Sequence, residues 1–257
     1  MKYVELSLID VGLAAGLIIV NAVISIVLGL KLGRSLLLAS VRTVVQLLLI
    51  GLVLESVFSL DRWYAVIGLL LVMTVIAGVA AVGRTDRRYR GVYCDSIIAV
   101  WASSWIVAAY AMLAIMREVE PWYQPQYAIP LAGMILGNSL NGISLGLNRL
   151  TDELTSHRDQ VEALLTLGAT RWEAARGSLR QAIHTGMIPI INSMMVVGIV
   201  NLPGMMTGQL LSGVSPAQAV RYQIVIMFLI AAATALGTVS VVLLSYRRLF
   251  NEHHQFC

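Results

Sequence analysis

The feature that most constrains this sequence is a succession of seven long apolar runs, at residues 6–30, 35–56, 63–82, 96–116, 128–147, 186–203 and 217–246. As a helix, each run is long enough to cross the roughly 30 Å hydrocarbon core of a bilayer. Only 12% of the residues are charged, whereas soluble domains typically contain about a quarter. The sequence therefore predicts an all-α polytopic membrane protein with about seven transmembrane helices, in which residues 1–257 form a single transmembrane domain.

Lysine and arginine positions predict the orientation of these spans. Thirteen of the 18 basic residues follow spans one, three, five and seven, four lie on the opposite side, and Arg42 lies within span two. Because cytoplasmic loops carry an excess of basic residues, we expect the N-terminus outside and the C-terminus inside. This bias explains the isoelectric point of about 9.3 without a nucleic acid. The expected surroundings are a lipid bilayer.

The region before the last span does not have the pattern of an ordinary loop. Residues 181–220 form a run of 40 without Asp, Glu, Lys or Arg. Three residues are predicted to break the helix within this run, Pro203, Gly204 and Gly208. Residues 203–214 are too apolar for an exposed loop and too short to cross, so we expect a broken or re-entrant segment there, near the outer leaflet. Ser215-Pro216-Ala217-Gln218 has the form of a capping box that starts the last span.

Polar and soft side chains within the predicted spans are candidates for a solute pathway. They are Arg42, Gln46, Asn138, Asn141, Met205, Met206 and Gln223. An intramembrane charge is a functional candidate, but Arg42 lies about 10 Å from the inner end of its helix and could instead extend to the interface. Asparagine can equally serve helix packing, and methionine more often fills gaps than binds a soft metal. The sequence assigns no metal ligands.

The longest polar stretch, about 149–185, is predicted to form a short helix, a glycine turn and a second helix that continues into the membrane. Val161, Leu164, Leu165 and Trp172 form an apolar stripe, and Gly168 is predicted to end the first helix. Thr170-Arg171-Trp172-Glu173 has the form of a capping box that starts a helix running into span six. Force on the short helix would then move a span. The alternative is a surface helix at the headgroups, anchored by Trp172.

Several sequence blocks resemble the Fet-type (FetB family) iron-export permeases of ABC transporters. They are VRTVVQLLLIG around Arg42 to Gln46, IPLAGMILGN from Ile129 to Asn138, LGAT from Leu167 to Thr170, LPGMMTG from Leu202 to Gly208, and Tyr222-Gln223-Ile224. Glu162-Ala163-Leu164 followed by Gly168-Ala169-Thr170 is also similar to the EAA-type coupling helix of such permeases. The interval from Gly168 to Pro189 is longer than in importers.

The resemblance implies an ABC transporter permease in a bacterial inner (plasma) membrane, exporting a metal ion, with iron as the expected cargo. It also implies a homodimer of this chain and a separate ABC-type ATP-binding subunit, which would bind ATP and Mg, so that this chain binds no cofactor. The contacts with that subunit would come from Glu162, Leu165, Gly168, Ala169 and Thr170. Independently, neither Lys2 nor Lys31 precedes Ser or Thr, so the sequence contains no Walker A loop and is not expected to be an enzyme.

Two other classes of protein fit the sequence less well. A secondary transporter or channel for a small cation or metabolite would be expected to contain a buried carboxylate, and Asp10 and Glu55 lie near span ends. An intramembrane hydrolase using Ser139 would have no histidine base in a span. The sequence leaves the solute and the direction of transport undetermined.

Overall fold

A computed structural model describes residues 7–60, 62–85, 87–115 and 121–250. The helices in these ranges are α1 (Leu8–Val27), α2 (Gly33–Leu60), α3 (Trp63–Gly83), α4 (Val92–Tyr110), α5 (Pro125–Ser156), α6 (Arg158–Thr166), α7 (Arg171–Val196), α8 (Gly204–Leu211) and α9 (Pro216–Leu249). A short π-helix, Ala111–Ile115, continues α4. No β-strand occurs within the described ranges, so the predicted all-α class is confirmed.

Six helices in the described part of the chain are long and apolar enough to cross a membrane. They are α1, α2, α3, α4 with its π-helical extension, α5 and α9. The predicted polytopic architecture is therefore confirmed. The orientation of these helices in the bilayer stays a prediction.

The chain divides into two compact units, Met1–Asp61 and Arg62–Cys257, called here the N-terminal and C-terminal units. The N-terminal unit is a hairpin of α1 and α2. Its turn is held by Ser25, whose carbonyl accepts a hydrogen bond from Leu30 N and whose hydroxyl accepts one from Leu32 N, both at 2.9 Å. Whether the chain functions as one transmembrane domain stays a prediction.

The C-terminal unit packs α3–α9 around two apolar clusters. The first cluster contains Leu150 of α5, Leu179 of α7 and Val242 of α9. The second contains Ile135 of α5, Ile190 of α7 and Ile230 of α9. Along the chain, α5 and α9 therefore run from the second cluster to the first, while α7 runs from the first back to the second.

The antiparallel course of α7 makes it the element that returns the chain between α5 and α9. Composition alone does not identify it as a span, because its first half carries Arg171, Arg176 and Arg180. The helix begins at Arg171, as the Thr170 capping box predicts, and ends at Val196, so only the end expected for span six, residue 203, is wrong. Its antiparallel packing makes α7 a seventh candidate crossing beside the six helices selected by length and composition.

The predicted position of the helix break is also partly wrong. After Val196 the chain makes a turn in which Gly198, with φ +83°, donates its N–H to the Asn201 carbonyl at 2.9 Å. Pro203 is the N-cap of α8, at the junction as expected, but Gly204 and Gly208 lie inside that helix. The reason is that proline's fixed φ suits a helix start, and an eight-residue helix tolerates glycine.

The segment between α7 and α9 is nevertheless broken, as predicted, because α8 with its eight residues is too short to cross a bilayer. The last span begins at Pro216 with Ser215 as N-cap, which confirms the predicted start. The Ser215 side chain makes no capping hydrogen bond, so the expected reciprocal capping box does not form. A re-entrant position of 203–214 near the outer leaflet stays a prediction.

Candidate transport and coupling sites

The predicted elbow between α6 and α7 forms as the sequence indicates. Gly168 adopts φ +91°, and Thr170 caps α7. The Thr170 backbone N–H and hydroxyl donate to Glu173 Oε2 at 2.8 and 2.7 Å, and Glu173 N–H donates to the Thr170 hydroxyl at 3.3 Å. These bonds, first the one from the backbone N–H, hold the pKa of Glu173 below its ordinary value. The elbow is thus a defined turn between two helices.

The apolar stripe of α6 is divided between two environments. Val161 is 3% exposed and belongs to the first cluster, against which the half-buried Leu165 packs. Leu164 is 42% exposed and Leu167, next to the elbow, is 84% exposed. One part of the stripe therefore fixes α6 to the bundle, and the other presents leucine side chains outward.

The remaining residues predicted for coupling lie on the surface of the same region. Glu162 is exposed and accepts a hydrogen bond from Arg158 Nε at 2.7 Å, which raises the pKa of Arg158. Ala169 is half-buried beside the elbow. The Trp172 ring lies 5.8 Å from that of Tyr246 in an edge-to-face arrangement, so Trp172 connects the start of α7 to the end of α9.

Glycines bring α5, α7 and α9 into close contact at one level. A Cβ on Gly186 would lie 2.5 Å from Thr238 Cγ2 and 2.7 Å from the Gly142 carbonyl oxygen. A Cβ on Gly142 would lie 2.6 Å from Thr234 Cγ2. Gly142 of α5 thus serves helix packing, whereas a Cβ on Gly137 would meet nothing within 4 Å.

Gln223 is a buried polar residue of α9, and one of its hydrogen-bond acceptors is unsatisfied in the described part of the chain. It is 7% exposed, and its Oε1 atom has no hydrogen-bond partner in the described part of the chain. A buried acceptor without a donor is costly, so such groups often mark function. Nearby in sequence, Tyr222 packs against the second cluster.

The predicted methionines adjoin the same region. Met205 and Met206 of α8 are half-buried. Met205 packs against the second cluster, as do Met134, Met187 and Met194. Methionine side chains from α5, α7 and α8 therefore pack against one apolar cluster in the C-terminal unit.

The two asparagines of α5 have different partners. Asn138 is half-buried and donates from Nδ2 to the Met134 carbonyl at 2.8 Å. Asn141 is exposed and accepts a hydrogen bond from Arg84 Nη1 at 2.6 Å. The contact with Arg84, 57 residues away, was not predicted from the sequence.

Arg42 and Gln46 lie in the other compact unit. Both are exposed on α2 and line a groove of the hairpin together with Lys31 and Arg34. The structure therefore groups Arg42 with two further cations rather than with a carboxylate.

Sequence reasoning missed a buried carboxylate, Asp95, in the first turn of α4. Asp95 is 1% exposed; its Oδ1 atom accepts a hydrogen bond from Arg248 Nε at 2.7 Å and its Oδ2 atom one from the Tyr89 hydroxyl at 2.9 Å. Tyr89 also contacts the Ser245 hydroxyl at 2.8 Å, and burial raises its pKa. The sequence signal that could have identified Asp95 is an acidic residue shortly after the arginine-rich loop 84–90. Because Arg248 neutralises it, Asp95 differs from the free carboxylate that an ion-coupled transporter would use.

Two further observations bear on the chemistry of the site. Within the described ranges, no three His, Cys, Asp or Glu side chains come together as metal ligands. Ser139 is fully buried and its hydroxyl has no hydrogen-bond partner there, so the described residues provide no base for a serine hydrolase.

Comparison with known proteins identifies the family. The model of the family described as "Uncharacterised protein family (UPF0014)" matches residues 8–250. The chain belongs to the UPF0014 family. The UPF0014 membrane protein slr1647 of Synechocystis is 42% identical over 98% of this chain and 97% of its own length.

Two other relatives of this UPF0014 chain have more informative names. The "Probable iron export permease protein FetB" of Escherichia coli is 32% identical over 96% of this chain and 93% of its own length. The Arabidopsis thaliana protein ALUMINUM SENSITIVE 3 is 29% identical over 94% of this chain and 88% of its own length. No solved structure matches. The resemblance to the FetB family is thus confirmed, and the apolar helices fit a multi-pass protein of a bacterial inner membrane.

Proposed function

We propose that this chain is the membrane-spanning subunit of an ABC exporter, that a separate subunit hydrolyses the ATP, and that the cargo is a metal ion, with iron as the leading candidate. The cargo is suggested by the relative named as an iron export permease. The observation that carries the proposal is the continuity of α7, which begins at the Thr170 cap beside the elbow and runs to Val196 between α5 and α9. Movement of the elbow would therefore reach both clusters of the C-terminal unit.

The docking surface for the ATP-binding subunit is the exposed side of α6 and the elbow. Leu164 and Leu167 supply apolar contact area there, and Glu162 with Arg158 supplies a polar rim. This composition, an apolar centre with charged edges, is typical of a protein interface. Leu165 and Ala169, which are half-buried, would transmit the contact to the bundle.

Closure of the ATP-binding subunits would push α6 and move α7 against α5 and α9. The helices are closely packed at Gly142, Gly186 and Thr238, so α7 would shift as a rigid unit. This shift would change the surroundings of the proposed pathway residues Gln223, Asn138, Met205 and Met206. Weak amide and thioether ligands suit a transient site, because a transported ion must leave as readily as it enters. Asn141 would stay near this path. Arg42 and Gln46 of the N-terminal unit are proposed as further contacts of the solute. A homodimer of the chain would supply two such halves.

Purification of the chain with a candidate ATP-binding subunit tests this function. We expect a stable complex whose ATPase activity rises with iron, and we expect Leu167→Asp to weaken the complex while Leu145→Asn, an exposed leucine of α5 away from the elbow, leaves it intact. Gly168→Ala should also reduce coupling, because φ +91° is unfavourable for a residue with a Cβ. Uphill transport by the purified chain alone in vesicles would refute the proposal.

A further inference from the structure

The hairpin of the N-terminal unit contains a groove of about 960 Å³ between α1 and α2. Its basic end is lined by Lys31 and Arg34 at the turn, and Arg42 follows eight residues further along α2, about 12 Å away. Leu38, Val41 and Val45 line the length of the groove with hydrocarbon. The groove therefore has a basic end at the turn and an apolar lining along its length.

The turn determines where the basic end lies. Ser25 is 3% exposed and bonds the turn through its carbonyl and its hydroxyl. Lys31 has φ +56°, the one positive φ of a non-glycine residue in the described ranges. Because such a backbone is unfavourable for a residue with a Cβ, it persists only where its surroundings impose it. The turn thus holds Lys31 immediately before α2.

Within the ranges that the structure describes, no carboxylate neutralises the charge at this end. None of Lys31, Arg34 and Arg42 makes an ion pair within the described part of the chain, and no carboxylate lines the groove. The N-terminus of α2, at Gly33, adds the positive end of a helix dipole. The site therefore attracts anions, and an anion with a hydrocarbon tail matches both of its parts.

We propose that this groove binds an anionic phospholipid of the inner leaflet. The lipid phosphate lies at Lys31, Arg34 and the first N–H groups of α2, and an acyl chain lies along Leu38, Val41 and Val45. Basic sites between transmembrane helices on the cytoplasmic side bind anionic headgroups, and the predicted orientation places this turn there. A zwitterionic lipid fits less well, because its own cation would face Lys31 and Arg34. The lipid phosphate site depends on Lys31 and Arg34, to which the proposed transport and ATP coupling give no role.

Native mass spectrometry of the purified full chain tests this, with phosphatidylglycerol and phosphatidylcholine of identical acyl chains as probes. We expect preferential retention of phosphatidylglycerol, reduced about fivefold for each cation removed in Lys31→Gln and Arg34→Gln. The charge-conserving pair Lys31→Arg and Arg34→Lys should keep the preference. The control pair Arg90→Gln and Arg247→Gln removes two exposed cations of the C-terminal unit and should also keep it.

Three results would overturn the proposal. The first is an equal loss of preference in the groove variants and in the control pair, which would indicate a general charge effect. The second is displacement of the lipid by inorganic phosphate alone, which would indicate a site for free anions. The third is a change in oligomeric state of the groove variants without any lipid preference in the wild type, which would make the groove a contact between copies of this chain.

Discussion

Arg248 donates from Nε to Oδ1 of Asp95 at 2.7 Å, and this bond joins the end of α9 to the first turn of α4. Asp95 is buried, whereas the side chain of Arg248 is 46% exposed. The carboxylate also benefits from its position at a helix N-terminus. The pair therefore fixes the last turn of α9 beside the loop that carries Tyr89.

Replacement of Asp95 by Asn should destabilise the protein. The charge-assisted hydrogen bonds to Arg248 and Tyr89 weaken, and we expect a loss of about 1–3 kcal/mol, towards the lower end because Arg248 is partly solvated. Thermal unfolding in detergent measures this. Arg247→Gln, at the exposed neighbour of Arg248, is the matched control and should change the melting temperature little. Equal shifts in both variants would contradict a special role for the Asp95 bond.

The same substitution at two glycines of α7 should have opposite effects. Gly186→Ala places a Cβ against the Gly142 carbonyl, which cannot rotate away, and should cost about 1–3 kcal/mol. Gly177→Ala meets no atom within 4 Å and should stabilise the helix by up to about 1 kcal/mol. Comparison of the two melting temperatures checks the close contact of α5 and α7. A neutral Gly186→Ala would show that this contact is loose.

Loss of the Thr170 cap should fray the first turn of α7. Thr170→Ala removes a hydroxyl that caps the helix, worth about 1 kcal/mol, and should lower partner-stimulated ATPase activity. Thr43→Ala, which removes a hydroxyl that donates to the Ala39 carbonyl within α2, should leave that activity unchanged. Hydrogen exchange of residues 170–175 measures the fraying directly.

The cap should also depend on pH through Glu173. Its pKa is lowered in the folded state, so its stabilising contribution is present above its ordinary value of 4.5 and disappears as the pH falls through the lower folded value. We expect the protection of the α7 N-terminus from hydrogen exchange, relative to the intrinsic rate at each pH, to fall below about pH 4.5. In Glu173→Gln this acid-dependent loss of protection should be absent. If the variant retained it, a different group would be responsible.

A substitution at Gln223 should separate an effect on transport from an effect on stability. Gln223→Met keeps the size of the side chain and removes a buried acceptor without a donor, so the melting temperature should stay the same or rise. If Gln223 contacts the cargo, transport should nevertheless fall. An unchanged transport rate in this variant would remove Gln223 from the pathway, and a large loss of stability would show that its amide has a structural role.

Local signals in the sequence were the most reliable predictors. The Thr170 cap, the Gly168 turn and the start of α9 at Pro216 all form where expected, because each depends on backbone geometry within a few residues. The helix break was placed too late, because the turn after Val196 depends on a hydrogen bond between Gly198 and Asn201 for which the sequence has no clear pattern.

Contacts between residues far apart in the chain could not be predicted from the sequence. The Arg84–Asn141 bond and the Asp95–Arg248 pair join residues 57 and 153 positions apart, and no spacing rule connects them. The packing of α7 against both α5 and α9 was likewise not predicted, although the start of α7 was.

By itself, the sequence determined the all-helical membrane class, the main apolar spans and the elbow, since transfer of backbone into lipid and local capping act on short stretches of chain. Only the tertiary structure decided which faces of those helices meet, that α7 returns between α5 and α9, and that Gln223 is buried without a donor while Asp95 is paired. These outcomes depend on side-chain packing between segments far apart in the chain, and hydropathy contains no information about that packing.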